Sequence, residues 1–293
     1  MLDIAVRAGN RTKLELIERV APLRGLTQRR HSARLLEHEP LVPVIGNRRA
    51  ELVDAVRREG AVVSSLDELA LPGTVELKDG LGRLKDSLAG RSAGGDTVRP
   101  PLEEILGEPS VWQWGLTDEL LDVAEAYLGL PARYYGADLR LERATGRAVG
   151  VRQWHRDVED HRMFKILVWL NDVAVDGGPF EYVSRTHTDE LARQFRYVSG
   201  FLSDEEMQRH VPRSEWRQAT GPTWTAVVSD TRSLFHRAMP PIRTDRWYVT
   251  FSYTSRTPVT TLPVPRVTER QRELARTGLT DRQLASLPRA FGD

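Results

Sequence analysis

Residues 151–171 read VRQWHRDVEDHRMFKILVWLN, and this stretch indicates the fold. Its two ends, 151–157 and 164–171, are rich in the β-branched and aromatic residues that favour strands. His155 and Asp157 stand two residues apart in the first predicted strand, so their side chains should point to the same face of a sheet. The stretch therefore predicts two strands and places an imidazole beside a carboxylate.

Further short segments of the same character surround this stretch. They are residues 134–142, 179–184, 223–228, 234–238 and 247–253. Turns containing glycine and proline separate them, and no long helix is needed between them except around residues 188–209. Many short strands at this spacing are typical of a β-sandwich or a barrel.

Two segments before the β-rich region carry clear helical patterns. Residues 51–60 place apolar side chains on one helical stripe and end at a glycine, which commonly stops a helix. Residues 117–129 do the same, and Thr117 is the expected N-cap because its hydroxyl can accept a hydrogen bond from the first turn. Residues 86–100 are rich in Gly, Ser and Asp and predict a surface loop.

The simplest architecture is a single domain, mainly β with helical decoration, of the α+β class. We expect residues 1–110 to form a mostly helical lead-in and residues 115–255 to form the β core. Segment 188–222 lies between two predicted core strands and is long enough to form a lid over a pocket. Residues 266–293 predict a polar, helical tail.

The composition excludes several classes of protein. The 293 residues include 40% hydrophobic and 28% charged residues, as in ordinary globular proteins, and the net charge of +1 gives no strong attraction for nucleic acid or membrane lipid. No cysteine is present, which excludes disulfides, thiolate metal sites and a cysteine nucleophile. There is no signal-peptide pattern and no run of ~18 apolar residues, so we expect a cytoplasmic protein without nucleic-acid or membrane partners.

A candidate metal site joins two distant parts of the chain. A His-x-Asp pair alone is usually just a hydrogen-bonded pair. His236, however, lies far downstream in a strand-like segment bounded by two prolines, and a two-sheet β fold brings such strands together. Two histidines and one carboxylate with open positions opposite are the ligand set of non-haem Fe(II) oxygenases.

Several motifs extend this observation. They are QWHRD at 153–157, FKILVWLNDV at 164–173, GPFEYVSRTH at 178–187, SD at 229–230 and HRA at 236–238. In this order they resemble the phytanoyl-CoA dioxygenase family, whose members are Fe(II)/2-oxoglutarate oxygenases built on a double-stranded β-helix, a jelly-roll or cupin-like core. The resemblance covers about residues 115–255.

The resemblance implies a ligand set and a reaction. His155, Asp157 and His236 would hold Fe(II), and 2-oxoglutarate and O2 would take the free positions. A small-molecule substrate would then be oxidised with release of succinate and CO2. In related halogenases the carboxylate is replaced by a small residue, so Asp157 favours hydroxylation over halogenation.

Arg246, at the start of a predicted strand, would bind the distal carboxylate of 2-oxoglutarate, because a guanidinium fork suits a carboxylate and keeps its charge. Arg243 is the competing choice. His161, in a charged loop, is a candidate for the substrate entrance. Further candidates at the cosubstrate end are Gln153, Lys165, Tyr248 and Thr250.

The predicted function is a 2-oxoglutarate-dependent non-haem iron dioxygenase. Nearly all basic residues are arginine, as in GC-rich bacterial genomes, which favours bacterial natural-product or secondary metabolism. Two alternatives stay open: another jelly-roll metalloenzyme, such as a cupin-like isomerase or a cosubstrate-independent oxygenase, and a non-catalytic small-molecule-binding domain. The five arginines of segment 188–222 fit an anionic substrate or an ordinary solvated surface equally well. The sequence does not distinguish hydroxylation from desaturation, epoxidation or cyclisation.

Overall fold

A computed structural model describes residues 2–89, 91, 95–260, 262 and 266–292, with side chains described from residue 9 onward. The α-helices are α1 (Leu2–Arg19), α2 (Ala21–His38), α3 (Asn47–Glu59), α4 (Thr74–Ala89), α5 (Leu102–Leu106), α6 (Pro109–Trp112), α7 (Asp118–Leu128), α8 (Arg185–Gln194), α9 (Asp204–Gln208), α10 (Glu269–Arg276) and α11 (Asp281–Ser286). Short 3-10 helices occupy Glu39–Leu41, Trp114–Leu116, Gly150–Arg152, Val175–Gly177, Arg213–Glu215 and Arg289–Phe291. No helix in the described part of the chain has the length and apolarity required to traverse a bilayer.

The strands are β1 (Ala61–Ser65), β2 (Thr97–Val98), β3 (Ala132–Glu142), β4 (Phe164–Trp169), β5 (Phe180–Tyr182), β6 (Arg217–Ala219), β7 (Thr225–Ser229), β8 (His236–Ala238) and β9 (Arg246–Ser255). They form a major sheet with the order β1-β7-β4-β9-β3-β2 and a minor sheet with the order β6-β5-β8. Every neighbouring pair is antiparallel.

Both faces of the major sheet are covered. Alternate side chains such as Ile166 and Phe251 pack with the helices in the largest apolar cluster. The intervening side chains, such as Leu167 and Tyr248, pack against Phe180 of the minor sheet. Since strand side chains alternate between faces, burial on both sides explains why residues 166–170, at the end of β4, form an uninterrupted apolar run.

A β-bulge in β3 decides which of its side chains face the minor sheet. The pairing of β3 with β9 shifts between Tyr134 and Ala137. Gly136 in the bulge has φ +98°, and a Cβ there would lie 2.7 Å from the ring of Trp112, so only glycine fits without strain. The shift brings Arg133 and Arg140 to the same face of the sheet. In a regular strand, two residues seven positions apart would point to opposite faces.

The predicted α+β class is confirmed. The description of the chain as mainly β was wrong for the whole molecule, because helices hold more of the described residues than strands do, and it fits residues 115–255 alone. The lead-in is mostly helical, but it also supplies β1, whose pairing with β7 the short sequence AVVSS did not reveal. The two predicted helices correspond to α3 and α7, and the tail is helical over α10 and α11.

Three local predictions were wrong. Residues 151–157 do not form a regular strand, because their backbone amides bond to three separate segments, with Trp154 N donating to Leu202 O, His155 N to His236 O and Asp157 N to Thr231 O. Thr117 does not cap α7 with its hydroxyl, which donates instead to the carbonyl of Trp114 at 3.0 Å. The loop predicted at 86–100 is helical as far as residue 89 and forms β2 at 97–98; residues 90 and 92–94 lie outside the described residues.

Candidate functional site

His155, Asp157 and His236 come together between the two sheets. One ligand atom from each lies within 4.8 Å of the others. The distance from His155 Nε2 to Asp157 Oδ1 is 3.8 Å, and the two imidazole centroids are 4.4 Å apart. Among the residues that the structure describes, no other group of histidines and carboxylates has this spacing. The structure thus assembles the predicted ligand set from distant parts of the chain.

Backbone hydrogen bonds fix the positions of the two imidazoles. His155 and His236 exchange a pair of backbone hydrogen bonds, both of 2.9 Å. The Nδ1 atom of His155 lies 2.9 Å from the carbonyl of Gln153, and that of His236 lies 3.1 Å from the carbonyl of Leu234. Because a carbonyl can only accept, each Nδ1 carries the proton, and each Nε2 keeps a free lone pair.

The protonation states suit a divalent cation. Burial and the neighbouring imidazole lower the pKa of His236 to about 3, and burial also lowers the pKa of His155 although Asp157 opposes the shift. Burial favours the neutral form of Asp157, but Lys165 and the two imidazoles outweigh it and hold the pKa of that carboxyl below its usual range. Two neutral imidazoles and one charged carboxylate are the forms that bind metal, so the donor set fits Fe(II).

Lys165, a predicted cosubstrate residue, contacts this carboxylate directly. Its Nζ donates to Asp157 Oδ2 at 2.5 Å, from a side chain that is 17% exposed. Burial acts to lower the pKa of Lys165, but Asp157 and Glu159 outweigh it and raise that pKa. The ammonium therefore stays charged and balances the carboxylate.

Arg246 is a buried guanidinium with unused donors. It begins β9 and is 1% exposed. Its Nη1 donates to the carbonyl of Met239 at 3.0 Å, whereas Nε and Nη2 are buried without a hydrogen-bond partner. The guanidinium carbon lies 5.0 Å from the ring centre of Tyr248. The competing Arg243 is different, since its side chain is 80% exposed and lies 3.6 Å from Asp176. Two buried, unsatisfied donors of a charged group are costly and are the signature of a missing acceptor.

A cavity of about 1490 Å³ opens beside the three predicted ligands and includes them in its wall. Of the predicted cosubstrate residues, Lys165, Tyr248 and Thr250 also line it. The other wall residues come largely from β3, from residues 99–112 and from the chain after β9.

Some predicted residues do not line this cavity. Arg246 lies behind its wall, against Tyr248, and Gln153 contributes its carbonyl to the orientation of His155. His161 stacks on His31 with ring centroids 3.9 Å apart, so it contacts the N-terminal helices. Segment 188–222 contributes nothing to the cavity wall, although the ring centre of Phe201 lies 5.5 Å from that of His155. The roles proposed for these residues and for the lid stay predictions.

Sequence reasoning missed the cavity-facing arginines of β3. Arg140 lines the cavity opposite Tyr248 and pairs with Asp138, and Arg133 lines it further along the same strand. A signal was present for Arg140, because polar residues at 138, 140 and 142 alternate with leucines and mark one polar face. The bulge hid the equivalent signal for Arg133.

Comparison with known proteins supports the fold. No protein-family model matches the chain. No curated protein matches its sequence. Among solved structures, EctD from S. alaskensis in its apoform has 20% identity and a TM-score of 0.50, covering 73% of this chain and 80% of its own. AviO1 from Streptomyces viridochromogenes Tue57 has 20% identity and a TM-score of 0.50, and the match covers 76% of this chain and 100% of AviO1. HygX from Streptomyces hygroscopicus, solved with nickel and 2-oxoglutarate bound, has 15% identity and a TM-score of 0.50, and the match covers 73% of this chain and 88% of HygX. At these identities the likeness shows a shared fold.

Proposed function

We propose that this chain is a single-domain, Fe(II)- and 2-oxoglutarate-dependent oxygenase that hydroxylates a small molecule. The observation that carries the proposal is the buried group of His155, Asp157 and His236 at the wall of a large cavity. The face-to-face packing of the two antiparallel sheets supports a double-stranded β-helix core. The shared fold with HygX, whose structure holds nickel and 2-oxoglutarate, supports the same cofactors here. A role in bacterial natural-product metabolism is part of the proposal.

The three ligands would hold Fe(II) through the two Nε2 atoms and Asp157. When bound, the metal with 2-oxoglutarate and O2 supplies the oxidising chemistry, and the cosubstrate leaves as succinate and CO2. Asp157 Oδ1 faces His155 Nε2, while Lys165 holds Oδ2. Lys165 thereby orients the carboxylate so that one oxygen stays free for the metal.

Arg246 would bind the distal carboxylate of 2-oxoglutarate with its free Nε and Nη2 donors. Because these atoms are closed off from solvent, the carboxylate reaches them only when neighbouring side chains move. Tyr248 lines the cavity and its ring centre lies 5.0 Å from the guanidinium carbon, so movement of this ring would open the way. Thr250 follows on the same face of β9 and would line the cosubstrate end.

The test is a spectroscopic titration under anaerobic conditions. Fe(II) and 2-oxoglutarate together should give the weak visible charge-transfer absorption of a ferrous 2-oxo acid chelate, and neither should give it alone. His236→Ala should abolish the band, and Arg246→Met should require far more 2-oxoglutarate. Arg243→Met is the matched control, since that arginine is exposed, and it should leave the titration unchanged.

Two results would contradict the proposal. No band under any condition would favour a binding domain without chemistry. A reaction that needs metal but is indifferent to 2-oxoglutarate would favour a different jelly-roll metalloenzyme.

A further inference from the structure

The cavity extends from the candidate metal ligands to a second group of side chains, which we call the arginine pole and define as Arg133, Arg256 and Arg289. The three residues come from β3, from the segment after β9 and from the C-terminal 3-10 helix Arg289–Phe291. Their proximity is visible in the contacts of Arg256, whose Nε donates to the carbonyl of Ala132 and whose Nη2 donates to Ser286 Oγ, both at 3.4 Å. Distant parts of the chain thus converge on one end of the cavity.

The positive charge of the pole is not balanced by ion pairs with the described residues. Within the described residues, no carboxylate forms an ion pair with any of the three guanidiniums. Other basic groups in the cavity wall do have partners: Arg99 and Arg140 pair with Asp138, and Lys165 pairs with Asp157. Arg266, at the exposed rim, adds a further positive charge. The arginine end of the cavity therefore carries an excess of cations.

Arg133 also carries an unused donor. Its Nε is buried and has no hydrogen-bond partner. Burial lowers the pKa of Arg133, and the charges of Arg289 and Arg256 act in the same direction while Tyr135 opposes them. A folded chain gains nothing from holding like charges together with an unsatisfied donor, so this arrangement is expected where a ligand supplies the acceptor.

We propose that the arginine pole binds a phosphate group of the substrate, so that the substrate is a phosphorylated small molecule lying between the pole and the candidate metal site. A phosphate monoester carries about two negative charges at neutral pH and three acceptor oxygens, which match several guanidiniums better than a single carboxylate does. The cavity is larger than the roughly 300–1,000 Å³ of ordinary ligand sites, so it has room for both the substrate and the cosubstrate. The position of the oxidised carbon rests on the proposed function; the phosphate site itself does not.

The first experiment measures binding of inorganic phosphate to the metal-free protein by calorimetry, against acetate at equal ionic strength. Arg133→Met and Arg289→Met should each weaken phosphate binding about tenfold or more, the loss expected for a charge-assisted hydrogen bond. The control Arg58→Met, at an exposed residue of α3 that is paired with Glu59, should stay within twofold of the wild type. An equal loss in the control, or acetate binding that is as tight as phosphate binding and equally sensitive to Arg133→Met, would overturn the proposal.

A second measurement avoids any dependence on variant folding. Phenylglyoxal modifies accessible arginines, and peptide mass spectrometry reports each site. Phosphate should protect Arg133, Arg256 and Arg289 of the wild-type protein from modification and leave Arg58 unprotected. Equal modification of the three arginines with and without phosphate would refute phosphate binding at the arginine pole. This outcome can be separated from the test of the proposed function. Phosphate binding without formation of the ferrous chelate would refute only the oxygenase proposal. Formation of the chelate without phosphate binding would refute only the phosphate-site proposal.

Discussion

Replacing Arg246 by methionine should make the ligand-free protein more stable while weakening its binding of 2-oxoglutarate. The guanidinium is 1% exposed and makes one hydrogen bond, to Met239, with its Nε and Nη2 unpartnered. Arg152 is a matched comparison, because it is also 1% exposed but its guanidinium is satisfied by Glu142 at 2.6 and 3.0 Å and by the carbonyl of Asp96 at 2.8 Å. The two arginines differ in whether the protein supplies their acceptors.

The magnitudes follow from that difference. Arg246→Met loses one hydrogen bond, worth about 1 kcal/mol, and removes a buried charge with two unsatisfied donors, each costing about 1–3 kcal/mol, so we expect a net gain of about 1–5 kcal/mol. Arg152→Met leaves Glu142 as an uncompensated buried charge and should lose about 3–5 kcal/mol. For 2-oxoglutarate, two charge-assisted hydrogen bonds of about 1.5–3 kcal/mol each correspond to affinity lowered about 10²- to 10⁴-fold in Arg246→Met.

Urea denaturation of the metal-free proteins gives the first quantity, and anaerobic titration of the Fe(II)-loaded proteins with 2-oxoglutarate gives the second. A gain in stability together with a loss of 2-oxoglutarate affinity is decisive, because replacing an arginine with a structural role would lower the stability. If Arg246→Met loses as much stability as Arg152→Met and binds 2-oxoglutarate normally, the assignment of its unpartnered donors to a cosubstrate carboxylate is wrong.

Three further predictions concern protonation and charge. Lys165→Met leaves the carboxylate of Asp157 unbalanced, so the metal-free variant should lose about 3–5 kcal/mol of stability in urea, and Mn(II) should raise its melting temperature more than it raises that of the wild type. Because the pKa values of both ligand imidazoles are lowered, Mn(II) affinity by calorimetry should fall less between pH 7.5 and 5.5 than it would for imidazoles with ordinary pKa values, which would lose about tenfold each at the lower pH. In the stacked pair, His31 and His161 both have pKa values of about 4, so the folded state binds fewer protons than the unfolded state below pH 6.5. The free energy of unfolding should therefore fall as the pH is lowered from 6.5 to 4, by on the order of 1 kcal/mol after discounting for partial exposure. His161→Gln should make that fall smaller in urea titrations at several pH values.

The candidate metal site could be predicted because its chemistry is carried by residue types at a recognisable spacing. His155 and Asp157 are close in sequence, and His236 follows in a segment of clear β character. Their proximity nevertheless does not arise from the strand that the sequence suggested. It arises from an irregular segment whose amides bond to three different partners, and tertiary hydrogen bonds of that kind leave no periodic pattern in the sequence.

The arginine pole could not be predicted, and the reason lies in the geometry of β3. A sequence pattern assigns faces by counting in twos, so it places Arg133 and Arg140 on opposite sides of the strand. The bulge at Gly136 adds one residue to that count and reverses the assignment for everything before it. Arg133 then faces the cavity opposite Thr254, where the segment after β9 and the C-terminal 3-10 helix bring two more guanidiniums. A single glycine with positive φ thus determines whether one end of the cavity can hold an anion, and neither composition nor alternation in the sequence reports its conformation.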